Sequence, residues 1–233
     1  MTSVRRSWHS GMASTEDWWA VWLGLFMFLM GLLSIWGIDV VGWQSKAATW
    51  IEPGKWIKPA GKAYKDFGWV GSLISTYVVW TALTCIGAAA MKLDMKKFFW
   101  GFTTLFCITW IAWIIGREAH LAAPVHKFAK YGIEWGLSLG GGASYIIALA
   151  VGLIIGNFFK GFAGFLKEAA KPEWFIKTAI VYLGIKVGLM SMKAAGFAFD
   201  LALAGAAATF VAYLLFWPLI YALARKVFRL PRQ

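Results

Sequence analysis

Residues Trp18 to Ile38 form a run of 21 residues without a charged side chain. At 1.5 Å per residue, a helix of this length crosses the roughly 30 Å hydrocarbon core of a bilayer. Comparable runs recur along the 233-residue sequence. We place six predicted spans at about 18–38, 69–91, 98–116, 136–159, 175–192 and 201–222. The predicted fold class is therefore all-α: a polytopic integral membrane helical bundle of about six transmembrane helices.

The composition supports a membrane protein over a soluble one. Hydrophobic residues make up 60% of the chain and the mean hydropathy is +0.64, more apolar surface than a soluble domain of this size can cover. Sixteen tryptophans suit two water–lipid borders. The net charge is +12, and most of the basic residues lie between the apolar runs. This placement is better explained by membrane topology and anionic lipid than by nucleic-acid binding.

The remaining segments are polar or amphipathic. Residues 1–17 form a polar N-terminal tail, 18–222 the transmembrane domain and 223–233 a basic C-terminal tail. Lysines and tryptophans alternate in 39–66, and 160–174 mix phenylalanine with lysine, so we predict two amphipathic segments on the membrane surface. The first apolar run is longer than the core of a signal peptide, so it is expected to stay as a helix.

The distribution of basic residues predicts the orientation. With the N-terminus inside, the inside segments hold 12 lysines and arginines and the outside segments hold 9. By the positive-inside rule this predicts N-in and C-in in a bacterial cytoplasmic (inner) membrane.

The sequence carries no visible enzyme chemistry. It shows no nucleophile with a base, and Gly140–Gly142 lacks the strand before it and the Lys-Ser/Thr after it that a phosphate loop needs. Cys85 and Cys107 fall inside apolar runs, which favours small buried residues over a disulfide or a metal site. We therefore expect no catalysis and no cofactor.

A metal-site hypothesis rests on His120, His126 and Glu118. Histidine ligands on one helix favour spacings of three or four residues, whereas these two histidines are six apart with Pro124 between them. Two interfacial histidines are the favoured interpretation.

A second hypothesis places an anion path at the fourth run. Gly140, Gly141 and Gly142 weaken a helix, and a broken helix in a transporter presents free backbone N–H groups to an anion. Ser144 and Asn157 add polar groups to this run, and Lys186 is a cation deep in the fifth. The alternative is close helix packing, because Gly-x-x-x-Gly spacing recurs at 136/140 and 152/156.

Three stretches carry a family resemblance. Residues Ser144–Phe158 and Lys171–Gly188 resemble the proposed sulfate exporter family of bacterial membrane proteins, and Glu16–Leu25 looks like the N-terminal extension of its longer members. The resemblance implies a membrane protein that moves a small anion. It covers the front half of that family, so either another chain supplies the rest or transport has been lost.

Our interpretation is a membrane subunit resembling half of a sulfate or other anion exporter. We expect it to act in the bilayer as a homo-oligomer or with other membrane subunits, and without nucleic acid. The alternative is a non-catalytic accessory or scaffolding subunit of a larger membrane complex.

Overall fold

A computed structural model of the protein describes residues 12, 14–193 and 197–226. The chain divides into two compact units, residues 1–182 and 183–233. The helices are α1 (Glu16–Leu32), α2 (Gly68–Ala90), α3 (Met95–Gly116), α4 (Ala119–Ala122), α5 (Phe128–Tyr131), α6 (Gly142–Phe158), α7 (Lys160–Leu166), α8 (Pro172–Lys193) and α9 (Phe197–Lys226). The strands are β1 (Ser45–Ala47) and β2 (Ile57–Pro59). Short 3-10 helices cover Leu33–Trp36, Lys62–Phe67 and Val125–Lys127.

The helical class is confirmed. Within the described residues three helices are long and apolar enough to cross a membrane: Lys62–Ala90, Met95–Gly116 and Leu203–Lys226. A fourth results if α6 and α7, which are bent by 116° at Phe159, form one broken span. The 17 residues of α1 continue into the 3-10 helix Leu33–Trp36, and together they extend roughly 34 Å. A total of six stays a prediction.

The first amphipathic segment, 39–66, contains a short hairpin and the start of the 3-10 helix Lys62–Phe67. Residues 45–59 form an antiparallel hairpin in which Lys46 pairs with Lys58. Pro53 and a left-handed Gly54 (φ +98°) lie in the connection, where a continuous helix could not pass. The hairpin rests on α2, because Thr76 Oγ1 accepts a 2.8 Å hydrogen bond from the Ser45 backbone N–H. In the second segment, 160–166 is a helix as predicted.

Polar contacts define two opposite ends of the bundle. At end A, Lys171 Nζ lies 3.1 Å from Glu16 Oε1, and Lys177 pairs with Asp17. At end B, the hairpin meets the turn after α3: the Trp50 N–H donates to the Arg117 carbonyl (3.2 Å). Successive helices α1, α2, α3 and α6 therefore alternate in direction. Which end faces the cytoplasm stays a prediction.

The core of the first unit lies near end A. Its buried members are Ala20, Leu23, Ala88, Phe98, Phe102, Ala169 and Trp174. Trp174 is fully buried and stacks on Phe98 and Phe175, with ring centroids 6.2 and 5.6 Å away. Gly87 on α2 leaves the space for this indole, because a Cβ there would lie 2.6 Å from Trp174 Cη2. One aromatic side chain thus holds α1, α2, α3 and α8 together.

Asp94 sets the start of α3, and its effect should depend on pH. Asp94 Oδ1 accepts 3.1 Å hydrogen bonds from the backbone N–H groups of Lys97 and Lys96. The Lys97 bond holds the pKa of this carboxyl below its usual value. A carboxyl whose pKa is lower in the folded protein than in the unfolded chain contributes its full stabilisation above the unfolded-state pKa. This stabilisation is lost as the pH falls through the folded-state pKa. We expect Asp94→Asn to lower the thermal midpoint at pH 7, with the difference from the parent shrinking below about pH 4. A difference that stays constant from pH 7 to 3 would contradict this.

Candidate functional site

The glycine-rich segment 136–141, which precedes α6, is not helical. The anion-path hypothesis expected a break in the helix at these glycines. Helix begins only at Gly142, six residues later than the predicted span. Ser138 and Gly140 both have left-handed backbone (φ +52° and +58°). The segment is held against the connection after α3, since Leu137 N–H donates to the His120 carbonyl (2.7 Å) and Leu139 N–H to the Leu121 carbonyl (2.9 Å). The start of α6 is therefore fixed in place at end B.

No side chain caps this start. Gly141 occupies the N-cap position of α6 and has no side chain to accept from the first turn. A Cβ at Gly140 or Gly142 would meet nothing within 4 Å, so the backbone is open there. The aligned peptides of a 17-residue helix place about half a positive charge at such an end.

Arg117 adds a full positive charge at the same place. It is the C-cap residue of α3, where the last carbonyls of that helix favour a cation. Its side chain extends to α6: a Cβ built on Gly141 would lie 3.2 Å from Arg117 Nη2. Within the part of the chain that the structure describes, Arg117 forms no ion pair, and its buried Nε has no hydrogen-bond partner. The nearest carboxylate in sequence, Glu118, accepts instead from the His120 backbone N–H (2.9 Å) and contacts its Nδ1 (2.8 Å).

A guanidinium and a helix N-terminus side by side both attract an anion placed between or beside them. A guanidinium offers a planar fork of donors suited to oxyanions, and an open helix N-terminus offers backbone N–H groups. We call Arg117 with Gly140, Gly141 and Gly142 the α6 N-terminal site. Its chemistry suits a small oxyanion.

Ser144 and Asn157, two of the other predicted path residues, do not contact Arg117. Ser144 is buried at the contact with α3, and its hydroxyl donates to the Trp113 carbonyl (3.4 Å). Asn157 is exposed near the other end of α6, where its Nδ2 donates to the Leu153 carbonyl one turn back (2.8 Å). The Lys186 side chain lies outside the described residues. Of the five predicted residues whose side-chain surroundings the structure describes, the three glycines belong to the α6 N-terminal site.

The three candidate metal ligands do not form one group. Glu118 and His120 are in contact, whereas His126 is exposed on the following turn. Among the described residues, no three His, Cys, Asp or Glu side chains are grouped so that they could hold a metal ion.

The sequence pattern does not single out Arg117 as a site residue, because it looks like one of the bases that flank an apolar run. The available signal was its position directly after a 22-residue apolar helix, followed within 25 residues by a glycine triplet.

Gly-x-x-x-Gly spacing has different roles at different positions. Gly136 is tightly packed, because a Cβ there would lie 2.9 Å from the His120 carbonyl oxygen. At Gly152 and Gly156 a Cβ would meet nothing within 4 Å. Close packing is therefore present at Gly136, whereas for Gly152 and Gly156 it stays a prediction.

Comparison with known proteins gives relatives of one kind. The chain is 57% identical to a UPF0324 membrane protein of Nitrosomonas europaea, in an alignment of 235 residues that covers the whole chain. Two UPF0324 membrane proteins of Nitratidesulfovibrio vulgaris are 31% and 29% identical over 146 residues, 62% of the chain. The chain is a membrane protein.

The relatives of this membrane protein are longer. The chain spans 48% of the Nitrosomonas protein, and each Nitratidesulfovibrio alignment spans 22% of that relative. No family model matches the sequence, and no solved structure matches it.

Proposed function

We propose that the chain is the anion-binding membrane portion of an exporter for sulfate or a related small oxyanion. The observation that carries this proposal is Arg117, which forms no ion pair with the described residues and whose guanidinium lies beside the start of α6, where the N-cap Gly141 has no side chain. The resemblance to proposed sulfate exporters points to the same chemical class. The site lies at end B, at the close of a 22-residue helix, so it would bind the anion at the membrane border.

Direct binding tests the proposal. The purified protein in lipid nanodiscs is titrated with sulfate, and unfolding temperature and heat of binding are recorded. Sulfate should raise the midpoint, since a ligand that binds only the folded state stabilises it. Arg117→Gln should weaken sulfate binding about ten- to a hundredfold, the loss expected for one or two hydrogen bonds from a charged donor.

Lys127→Gln is the matched control. Lys127 is an exposed cation in the same connection, so its loss changes net charge equally and should leave sulfate affinity within about twofold. If both variants lost sulfate affinity equally, the effect would come from net charge and not from a site at Arg117. If the parent protein did not bind sulfate, the proposal would be wrong. Efflux of labelled sulfate from vesicles made from native membranes extends the same comparison to transport.

The accessory-subunit alternative has one observation in its favour. A groove along α6, lined by apolar residues, is left open by the described residues. A scaffold would use such a surface for packing and would not need Arg117. Sulfate binding that depends on Arg117 separates the two functions.

A further inference from the structure

Trp50, in the connection between β1 and β2, is joined to the C-terminal end of α3 by three hydrogen bonds. Its backbone N–H donates to the Arg117 carbonyl (3.2 Å), and its own carbonyl accepts from the Ala119 N–H (2.8 Å). Its indole Nε1 donates to the Ile114 carbonyl (2.8 Å), 64 residues further along the chain. The main chain on both sides of the Arg117 side chain is therefore held from outside α3.

The Ile114 carbonyl is an acceptor that the Arg117 side chain could reach. It lies three residues before Arg117 in the last turn of α3, where an arginine can fold back and donate to the final carbonyls of its own helix. This carbonyl already accepts from two donors, the Arg117 backbone N–H (3.1 Å) and the Trp50 indole. A carbonyl oxygen has two lone pairs, so both are in use. The Arg117 side chain extends instead towards Gly141, at the start of α6.

We infer that Trp50 is a positioning residue of the α6 N-terminal site, because its indole occupies the carbonyl to which the Arg117 guanidinium would otherwise turn. Without the indole N–H, the Ile114 carbonyl competes with an oxyanion for the guanidinium donors. Trp50 thus acts through Arg117 and not by touching the anion. The inference rests on the proposed function, since it concerns the same anion site.

Trp56 provides a comparison within the same hairpin. Its ring meets the Trp50 ring edge to face, with centroids 5.6 Å apart, and meets Trp69 in the same way at 6.3 Å. Trp50 and Trp56 are both partly buried. The Trp56 Nε1, however, is buried without a hydrogen-bond partner in the part of the chain that the structure describes. The two positions therefore separate the effect of an aromatic ring from the effect of the N–H donor.

Sulfate titration of matched variants in lipid nanodiscs tests the role of the donor. Trp50→Phe keeps a ring beside Trp56 and loses the N–H, so we expect the sulfate Kd to rise about three- to tenfold, the loss expected for one hydrogen bond. Benzothienylalanine at position 50 keeps the two-ring shape with sulfur in place of N–H, and it should give the same loss. Trp56→Phe is the control and should leave the Kd within about twofold of the parent, because no hydrogen bond is removed.

A double variant tests whether Trp50 acts through Arg117. In the Arg117→Gln background, Trp50→Phe should change the sulfate Kd by less than about twofold, because the guanidinium that it directs is absent. If Trp50 only stabilised the turn after α3, its loss would weaken sulfate binding by the same factor with or without Arg117. Thermal midpoints recorded without sulfate show whether each variant is folded.

The inference is wrong if both position-50 variants bind sulfate like the parent, or if Trp56→Phe weakens binding as much as Trp50→Phe. It is also wrong if the loss occurs with phenylalanine and not with benzothienylalanine, since shape would then be the cause, or if the losses in the double variant are additive. Each of these results leaves the proposed function standing while Arg117→Gln weakens sulfate binding. A parent that binds no sulfate, or an Arg117→Gln variant that binds like the parent, overturns the proposed function and this inference together.

Discussion

Replacing Gly116 by leucine is expected to separate α3 from α6 and to destabilise the protein by about 3 kcal/mol, the upper part of the usual range for overpacking. A Cβ at Gly116 would lie 2.3 Å from Ser144 Cα and 2.5 Å from Ser144 N. These are backbone atoms, so no rotamer change relieves the clash. The first turn of α6 must move, and Gly141 moves away from Arg117 with it.

Two readouts check this result. Titration with dodecyl sulfate, followed by circular dichroism, measures unfolding, and the sulfate titration measures the α6 N-terminal site. Gly116→Leu should lower both stability and sulfate affinity. Gly152→Ala is the control on the same helix pair, because open space and a better helix former predict an unchanged or slightly raised stability. If Gly116→Leu were as stable as Gly152→Ala, the close approach of α3 and α6 at Gly116 would be wrong.

Apolar runs predicted the helices well because a membrane span is a local property. Twenty uncharged residues can satisfy their backbone polar groups in lipid only as a helix, whatever packs beside them. The weak point in the fourth span was also visible, since three consecutive glycines weaken a helix wherever they occur, although the predicted span began six residues before Gly142. The exact start at Gly142 was not, because the hydrogen bonds that hold Leu137 and Leu139 come from residues 17 and 18 positions earlier in the chain.

The hairpin and Arg117 show where sequence patterns stop being informative. Three-residue strands are too short for a clear alternation, and β1 is stabilised by Thr76 on α2, 31 residues beyond Ser45. Arg117 looks like an ordinary flanking base until the start of α6 is brought beside it. Both features depend on contacts between distant segments, which a single sequence does not display.

Trp174→Ala should give the other large effect, a loss of about 4 kcal/mol of unfolding free energy. The indole is fully buried and contacts Phe98, Phe175 and Trp19, so its removal leaves a cavity where four helices meet. Trp174→Phe should cost much less, because the ring stack is largely kept and the buried Nε1, which has no partner among the described residues, is removed. Trp100→Ala, on a side chain 55% exposed, is the control and should change stability by less than about 1 kcal/mol.

A double-mutant cycle with Gly87 tests whether Trp174 acts through this contact. Gly87→Ala alone should destabilise the protein, since its Cβ would lie 2.6 Å from Trp174 Cη2 and 3.1 Å from the Trp19 ring. In the Trp174→Ala background the same methyl group enters the cavity that the indole has left, so its cost should fall close to zero or reverse. The coupling is expected at about 1–3 kcal/mol, the range for residues in direct contact. Additive losses would mean that α2 does not pack on Trp174, and the common core of α1, α2, α3 and α8 would then be wrong.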